Sequence, residues 1–250
     1  MEMNEIIINV SEWAGVVAVT LLLTLSRRFT VRPVAFKYQR REVILSIILA
    51  VFLIAASLIA NIVLHLPTLP ESTTTSATTD APRQYLWAVA ILLPLVLLLL
   101  IRRQPLLSVG LSRPTLSPAA MLGAALALIT IFLRGKIYGI LDGVSALEFN
   151  HLILCLVIAL VGEIIFRGFL QLRFSAWLGR TAGWLVTSLV YFLFCLPFVW
   201  QAAGGEFSAF WMPAILQLVQ AVLLGWIMRR SGNVLASGLY QAAHFWVGIL

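Results

Sequence analysis

The sequence is poor in charge, in cysteine and in histidine. Of its 250 residues only 11% are charged, whereas 61% are hydrophobic, and the mean hydropathy is +1.01. A water-soluble domain of this length has no use for so much apolar surface, so the composition indicates a chain that folds in a lipid bilayer. Cys155 and Cys195 fall in apolar stretches, where thiols stay protonated, and nothing indicates a disulfide. One histidine and one thiol on different helices do not make a catalytic zinc site, so we expect no metal and no cofactor.

Eight apolar stretches are long enough, or nearly so, to cross a membrane as helices. They are residues 8–25, 43–66, 85–101, 115–133, 150–166, 181–200, 211–228 and 234–250. The fold class that they predict is all-α, a polytopic membrane bundle of about eight transmembrane helices. The first stretch contains Glu12 and follows no basic segment, so we interpret it as a retained anchor and not as a cleaved signal peptide.

Positive charge is distributed unevenly between the connections. If the N-terminus lies outside, four segments face the cytoplasm, and they hold 14 of the 17 Lys and Arg residues: 26–42, 102–114, 167–180 and 229–233. This asymmetry follows the positive-inside rule, so we expect a multi-pass protein of the bacterial plasma membrane with both termini outside. The basic residues form short collars at helix ends and no clustered face, which argues against a nucleic-acid partner.

One low-complexity segment divides the chain. Residues 67–84 combine prolines with a run of Ser, Thr and acidic residues, and this composition predicts a flexible polar loop. The loop would separate an N-terminal transmembrane hairpin, residues 1–66, from a larger helical domain, residues 85–250. Small residues in the hairpin would let another helix approach closely, although ordinary packing within the bundle explains them equally well.

The best clue to function is an acid and a base one helical turn apart, at the edge of the fifth stretch. Glu163 and Arg167 stand in the run Gly162-Glu163-Ile164-Ile165-Phe166-Arg167-Gly168. Ionisable residues within bilayer reach are costly and are normally kept for function or held by a partner. The i,i+4 spacing supplies that partner, with Glu N-terminal to Arg in the favourable order. A structural ion pair at the membrane interface is the alternative interpretation.

The last three stretches carry few polar residues, and these recur at helical spacing. One polar stripe on each helix would line a shared polar cavity. The side chains that we expect there are Tyr191, Cys195, Gln217, Gln220, Tyr240 and Gln241. Hydrogen bonding between the helices of the bundle is the alternative explanation.

This order of features resembles the CPBP family of intramembrane proteases, which includes bacterial immunity-associated proteins and the Ras-converting CAAX prenyl endopeptidases. That family carries a Glu-Glu-x-x-x-Arg-Gly motif, then Phe-x-x-x-His on a second helix, then His and Asn on a final helix. The run from Glu163 to Gly168 is similar to the first motif. Residues 102–111 resemble the family's lead-in, and residues 230–233 resemble its turn before the last helix. The resemblance covers roughly residues 105–250.

The departures from the family pattern fall on the reactive positions. Gly162 stands where the family has its general-base Glu, and Cys195 stands where it has the first His. Counted from the turn, the second His falls on Gln241 and the Asn on Phe245, while a register slipped by three residues would use His244 instead. The residues that remain to carry catalysis are therefore Glu163, Arg167 and His244.

Three function classes follow from these observations. The first is an inactive or altered family member that serves as a membrane accessory or binding subunit. The second is a working intramembrane peptidase that cleaves membrane-associated or prenylated proteins, or that attacks through Cys195 with His244 as base. The third is a small transporter, for which inverted repeats would be the signature. The expected partners are the lipid bilayer, another membrane protein or transmembrane helix, and a lipid or prenyl tail.

Overall fold

The computed structural model describes residues 3–26, 29, 36, 38–62 and 77–248. Within these residues the chain is helical and contains no strand. The helices are α1 Met3–Thr24, α2 Gln39–Ile62, α3 Ala77–Ile101, α4 Arg113–Leu133, α5 Ile137–Leu141, α6 Ala146–Glu163, α7 Gln171–Leu178, α8 Arg180–Ala202, α9 Phe207–Ser231 and α10 Val234–Val247. A 3₁₀ turn, Leu106–Val109, precedes α4, and a π-helix, Ile164–Leu170, joins α6 to α7.

The predicted all-α membrane bundle is confirmed. Seven helical segments among the described residues are long and apolar enough to cross a membrane, and they correspond to the first seven predicted stretches. The eighth stretch corresponds to α10, which has 14 residues and is buried along almost its whole length. A helix of that length spans about 21 Å, less than the bilayer core. The eighth helix therefore lies inside the bundle, enclosed by the other helices.

The core forms around α10. This helix packs against α4, α6 and α9, while α8 packs between α7 and α9. The start of α10 is fixed by the turn that precedes it. Gly232 adopts φ 68°, in the left-handed region, and the Asn233 side chain accepts a hydrogen bond of 3.0 Å from Leu235 N. Asn233 also donates to the carbonyl oxygen of Ser112 at 3.0 Å, which ties this turn to the start of α4.

The N-terminal hairpin packs directly on the other helices. Helix α1 contacts α4 and α9, and α2 contacts α7 and α8. The amide of Asn61 on α2 donates to Gln201 Oε1 on α8 at 2.8 Å. Residues 67–76 of the predicted polar loop lie outside the described residues, and residues 77–84 form the first turns of α3.

A buried charged cluster fixes the end of the bundle that we predict to be cytoplasmic. Arg173 on α7 is fully buried and donates to Glu42 Oε2 on α2 at 2.9 Å and to the carbonyl oxygens of Ser108 and Phe169 at 3.0 and 3.1 Å. Its remaining nitrogen donates to the side chain of Gln104. A guanidinium saturated in this way joins α2, the segment before α4 and α7, so residues 102–109 form part of the scaffold.

Candidate functional site

The acid–base pair predicted from the sequence lies at a change of helix type. Helix α6 begins with a capping box in which Ser145 and Glu148 bond to each other's backbone N–H groups, and it runs to Glu163. The chain then continues as the π-helix, which carries Arg167. Single π-helical turns inside α-helices are rare and are frequent at functional sites.

The Glu163–Arg167 pair is completely buried. Arg167 Nε lies 3.7 Å from Glu163 Oε1, and both side chains have no exposed surface. The Arg167 guanidinium also donates to the carbonyl oxygen of Ala221 at 3.0 Å and lies over the ring of Tyr191, 4.3 Å from its centroid. These contacts tie the π-helix to α8 and α9.

The pair holds unused hydrogen-bonding capacity. Among the described residues, neither carboxylate oxygen of Glu163 accepts a hydrogen bond, and Nε and Nη1 of Arg167 have no acceptor. Ser237 on α10 lies beside the carboxylate, but its hydroxyl donates to the carbonyl oxygen of Val234 at 3.2 Å. Buried charges left with so few partners are expensive, so the two side chains depend on each other electrostatically.

A cavity of about 60 Å³ lies next to this pair, between α3, α6, α8 and α10. It has room for a few water molecules or for the end of a larger ligand. Its lining residues are Gln84, Trp87, Ala88, Ile91, Ile158, Gly162, Phe166, Tyr191, Phe194, Cys195, Phe198, Gln241 and Phe245.

The cavity brings together the positions that the family resemblance assigns to the catalytic motifs. Gly162, Tyr191, Cys195, Gln241 and Phe245 come from three helices and line one space. Gly162 contributes no side chain, and a Cβ built on it would meet no atom within 4 Å. The Gln241 amide donates to the Tyr191 hydroxyl at 2.6 Å, which joins α10 to α8. Glu163 itself is not among the lining residues.

His244 belongs to a different cluster. Its Nδ1 lies 2.9 Å from Glu12 Oε1 on α1 and 3.0 Å from a guanidinium nitrogen of Arg134. Arg134 Nε forms an ion pair of 2.6 Å with Glu12 Oε2. The structure therefore places His244 with α1 and the end of α4, while Gln241 and Cys195 face the cavity. The predicted catalytic set of Glu163, Arg167 and His244 is divided between these two places.

The remaining residues that we expected at the cavity lie elsewhere. The Tyr240 hydroxyl is 3.0 Å from Glu12 Oε1 and 3.2 Å from Gln220 Oε1, so both residues join the His244 cluster. Gln217 is half-buried on α9 and is not one of the lining residues. Helix α3 forms one wall of the cavity. The family motifs do not include this helix, which contributes Trp87, Gln84 and two small or aliphatic side chains. The acidic charge of Glu12 within an apolar stretch was the one sequence signal for the second cluster.

The chemistry available in the cavity is limited. Hydrolysis of a peptide bond needs a base that activates water and fixed donors for the oxyanion. None of the described lining residues carries a carboxylate or an imidazole, and their polar groups are two carboxamides, a phenol, a thiol and the indole N–H of Trp87. These groups donate and accept hydrogen bonds, and they suit the binding of a ligand.

Comparison with known proteins agrees with this geometry. Residues 145–247 match the family model of Rce1-like type II CAAX prenyl endopeptidases. The match begins at Ser145, which caps α6, and ends at the last residue of α10, so it contains all five motif positions at the cavity. No curated protein and no solved structure matches the chain significantly. The part of the chain that forms α6 to α10, residues 145–247, is therefore similar to the Rce1-like type II CAAX prenyl endopeptidases.

Proposed function

We propose that this protein is an altered member of its family, which no longer hydrolyses peptide bonds and serves in the membrane as an accessory or binding protein. The observation that carries the proposal is the cavity itself. Gly162, Cys195 and Gln241 line it at the places where the resemblance puts the general base and the two histidines. The cavity persists while the side chains that would activate water are replaced.

The expected loss of reaction rate supports a binding function over a catalytic one. General acid–base catalysis contributes roughly 10²- to 10⁴-fold to rates, and a single oxyanion donor contributes about 10²- to 10³-fold. Replacing the base and both imidazoles together removes several of these factors at once. No described residue of the cavity wall offers an equivalent group.

Glu163 does not substitute for the missing base. Its side chain is fully buried, and its nearest charged neighbour is Arg167 on the next turn. A general base has to come within hydrogen-bond distance of the water that it activates. Because Gly162 and not Glu163 lines the cavity, Glu163 acts as part of the scaffold that holds the π-helix against α8 and α9.

A cleavage assay tests the loss of catalysis. The purified full-length protein in mild detergent is incubated with a fluorogenic farnesylated peptide, and an active CAAX peptidase in the same detergent provides the positive control. We expect turnover equal to that of the Glu163→Gln variant and to the background rate. Turnover by the wild-type protein that Glu163→Gln abolishes would instead establish the working-peptidase alternative.

A pulldown tests the accessory role. Tagged protein is extracted from native membranes, and the co-purifying chains are identified by mass spectrometry for the wild type, for Gly162→Phe and for Gly162→Ala. Because the space around Gly162 is open, the Phe side chain should fill the cavity, whereas Ala should leave most of it free. We expect intact partners or ligands with the wild type and the Ala variant, and their loss with the Phe variant. Partners recovered as truncated fragments would argue for proteolysis.

A further inference from the structure

Two buried carboxamides face the same cavity with their oxygens unpaired. Gln84 on α3 is 9% exposed and Gln241 on α10 is 3% exposed. Gln241 uses its amide nitrogen to donate to Tyr191, which leaves Oε1 for another partner. Neither Gln84 Oε1 nor Gln241 Oε1 accepts a hydrogen bond from any residue that the structure describes. Buried acceptor atoms normally accept a hydrogen bond, so we expect a ligand to donate to these two oxygens.

The rest of the wall is uncharged and consists mainly of aromatic and aliphatic side chains. Trp87, Phe166, Phe194, Phe198 and Phe245 surround the space, and the Trp87 ring stacks on Phe194 with centroids 6.5 Å apart. None of the described lining residues is Arg, Lys, Asp or Glu. An apolar pocket with a few convergent polar groups is the usual form of a small-molecule site.

The chemistry of the wall selects among ligands. A carboxylate or a phosphate would meet two acceptor oxygens and no cationic side chain, so its desolvation would go uncompensated. An ether or a ketone would fit the aromatic wall but would leave both oxygens unpaired. A hydroxyl or an amide N–H would satisfy them and would place its alkyl chain against the aromatic rings.

We propose that this cavity binds a lipid whose inserted end is an uncharged hydrogen-bond donor, either a hydroxyl or an amide, with Gln84 and Gln241 as the acceptors. This inference rests on the proposed function in that it gives the same cavity a binding role. A space of about 60 Å³ has room for the donor group and only the first carbons of the chain.

The test compares ligands that share one alkyl chain and differ at the end. The full-length protein is reconstituted in phosphatidylcholine nanodiscs, and binding of dodecanol, dodecanamide, dodecyl methyl ether and dodecanoate is followed by thermal unfolding and by tryptophan fluorescence. One satisfied buried acceptor corresponds to an affinity difference of about 3- to 10-fold. We expect dodecanol and dodecanamide to bind tighter than the ether by at least this factor, and dodecanoate to bind most weakly.

Variants separate the acceptors from the aromatic wall. The double variant Gln84→Leu/Gln241→Leu should bind the ether as well as the wild type does and should lose the preference for dodecanol. Gln217→Leu, outside the cavity, should keep that preference and serves as the control. Since Gln241→Leu also removes the hydrogen bond to Tyr191, the single variant Gln84→Leu provides the same test without touching that bond, and it should lose part of the preference.

The outcomes discriminate clearly. Equal affinities for dodecanol and its ether, tightest binding of dodecanoate, or an unchanged preference in both Gln84→Leu variants would each overturn the ligand assignment. None of these binding results would bear on catalysis, because the loss of peptidase activity is tested separately by the cleavage assay. Conversely, cleavage of the farnesylated peptide together with a clear preference for the alcohol would refute the proposed function and leave the ligand assignment intact.

Discussion

Glu12 and Arg134, 122 positions apart in the chain, form an ion pair of 2.6 Å between Oε2 and Nε. The pair joins α1 to the end of α4, and His244 on α10 lies within hydrogen-bond distance of both side chains. Tyr240 adds a hydroxyl 3.0 Å from the same carboxylate. Neither member of the ion pair lies within residues 145–247, yet their cluster includes two residues of α10. The N-terminal helix is therefore fastened to α4 and α10 by a buried charge.

Loss of the Glu12 carboxylate should destabilise the protein. Glu12→Gln leaves Arg134 without its counter-charge in a site where the acid is fully buried, and breaking such a pair costs on the order of 3 kcal/mol. We expect a lower thermal unfolding temperature in detergent, with Glu206→Gln at an exposed position as control. In a double-mutant cycle, Glu12→Gln/Arg134→Gln should be more stable than the sum of the single effects predicts. Strict additivity would show that the two side chains are not coupled.

Gly168 should tolerate no side chain. A Cβ on this residue would overlap the carbonyl oxygen of Val109, in the backbone of the segment before α4. Gly168→Ala should therefore force the π-helix away from that segment and cost about 1–3 kcal/mol of stability. The matched control is Gly162→Ala, where a Cβ meets open space and the helix gains up to about 1 kcal/mol. Thermal unfolding of both variants measures the contrast, and equal stabilities would contradict the close approach.

The Glu163–Arg167 pair should be structural. Glu163→Gln leaves a fully buried guanidinium whose only described carboxylate neighbour has been neutralised, so the unfolding temperature should fall. Arg167→Gln should destabilise the protein further, because it also removes the hydrogen bond to Ala221 and the contact with the Tyr191 ring. If Glu163→Gln left both expression and thermal stability unchanged, the scaffold role would be refuted.

The orientation in the membrane stays a prediction from charge, and it is open to direct measurement. Arg113 and Asp142 are exposed at opposite ends of the region formed by α4 and α5. Single cysteines at these positions, Arg113→Cys and Asp142→Cys, would be made in a background with Cys155→Ala and Cys195→Ala. We expect a membrane-impermeant maleimide to label position 142 in intact cells and position 113 only after lysis. The reverse pattern would place the N-terminus inside.

The sequence predicted the membrane bundle and the first seven spans, because long apolar stretches bounded by charge have few alternatives in a bilayer. It was less informative about the eighth. Residues 234–250 are apolar enough to read as a span, but the described helix ends at Val247 and is buried on every side. Hydropathy measures apolar character and does not distinguish burial against lipid from burial against other helices.

What the sequence determined by itself was the chemistry available to this protein: an apolar chain, an i,i+4 acid–base pair, and departures at Gly162 and Cys195 from the pattern of the family that it resembles. What only the tertiary structure decided was which residues meet. Spacing along one helix places Gln241 and His244 on nearby faces, and the sequence left both registers open for the last motif. The packing of α10 turned Gln241 towards the cavity and His244 towards Glu12, a partner 232 residues away. Local periodicity determines which residues share a face of a helix. Which other segment packs against that face depends on contacts between residues distant in the chain, and no local pattern encodes them.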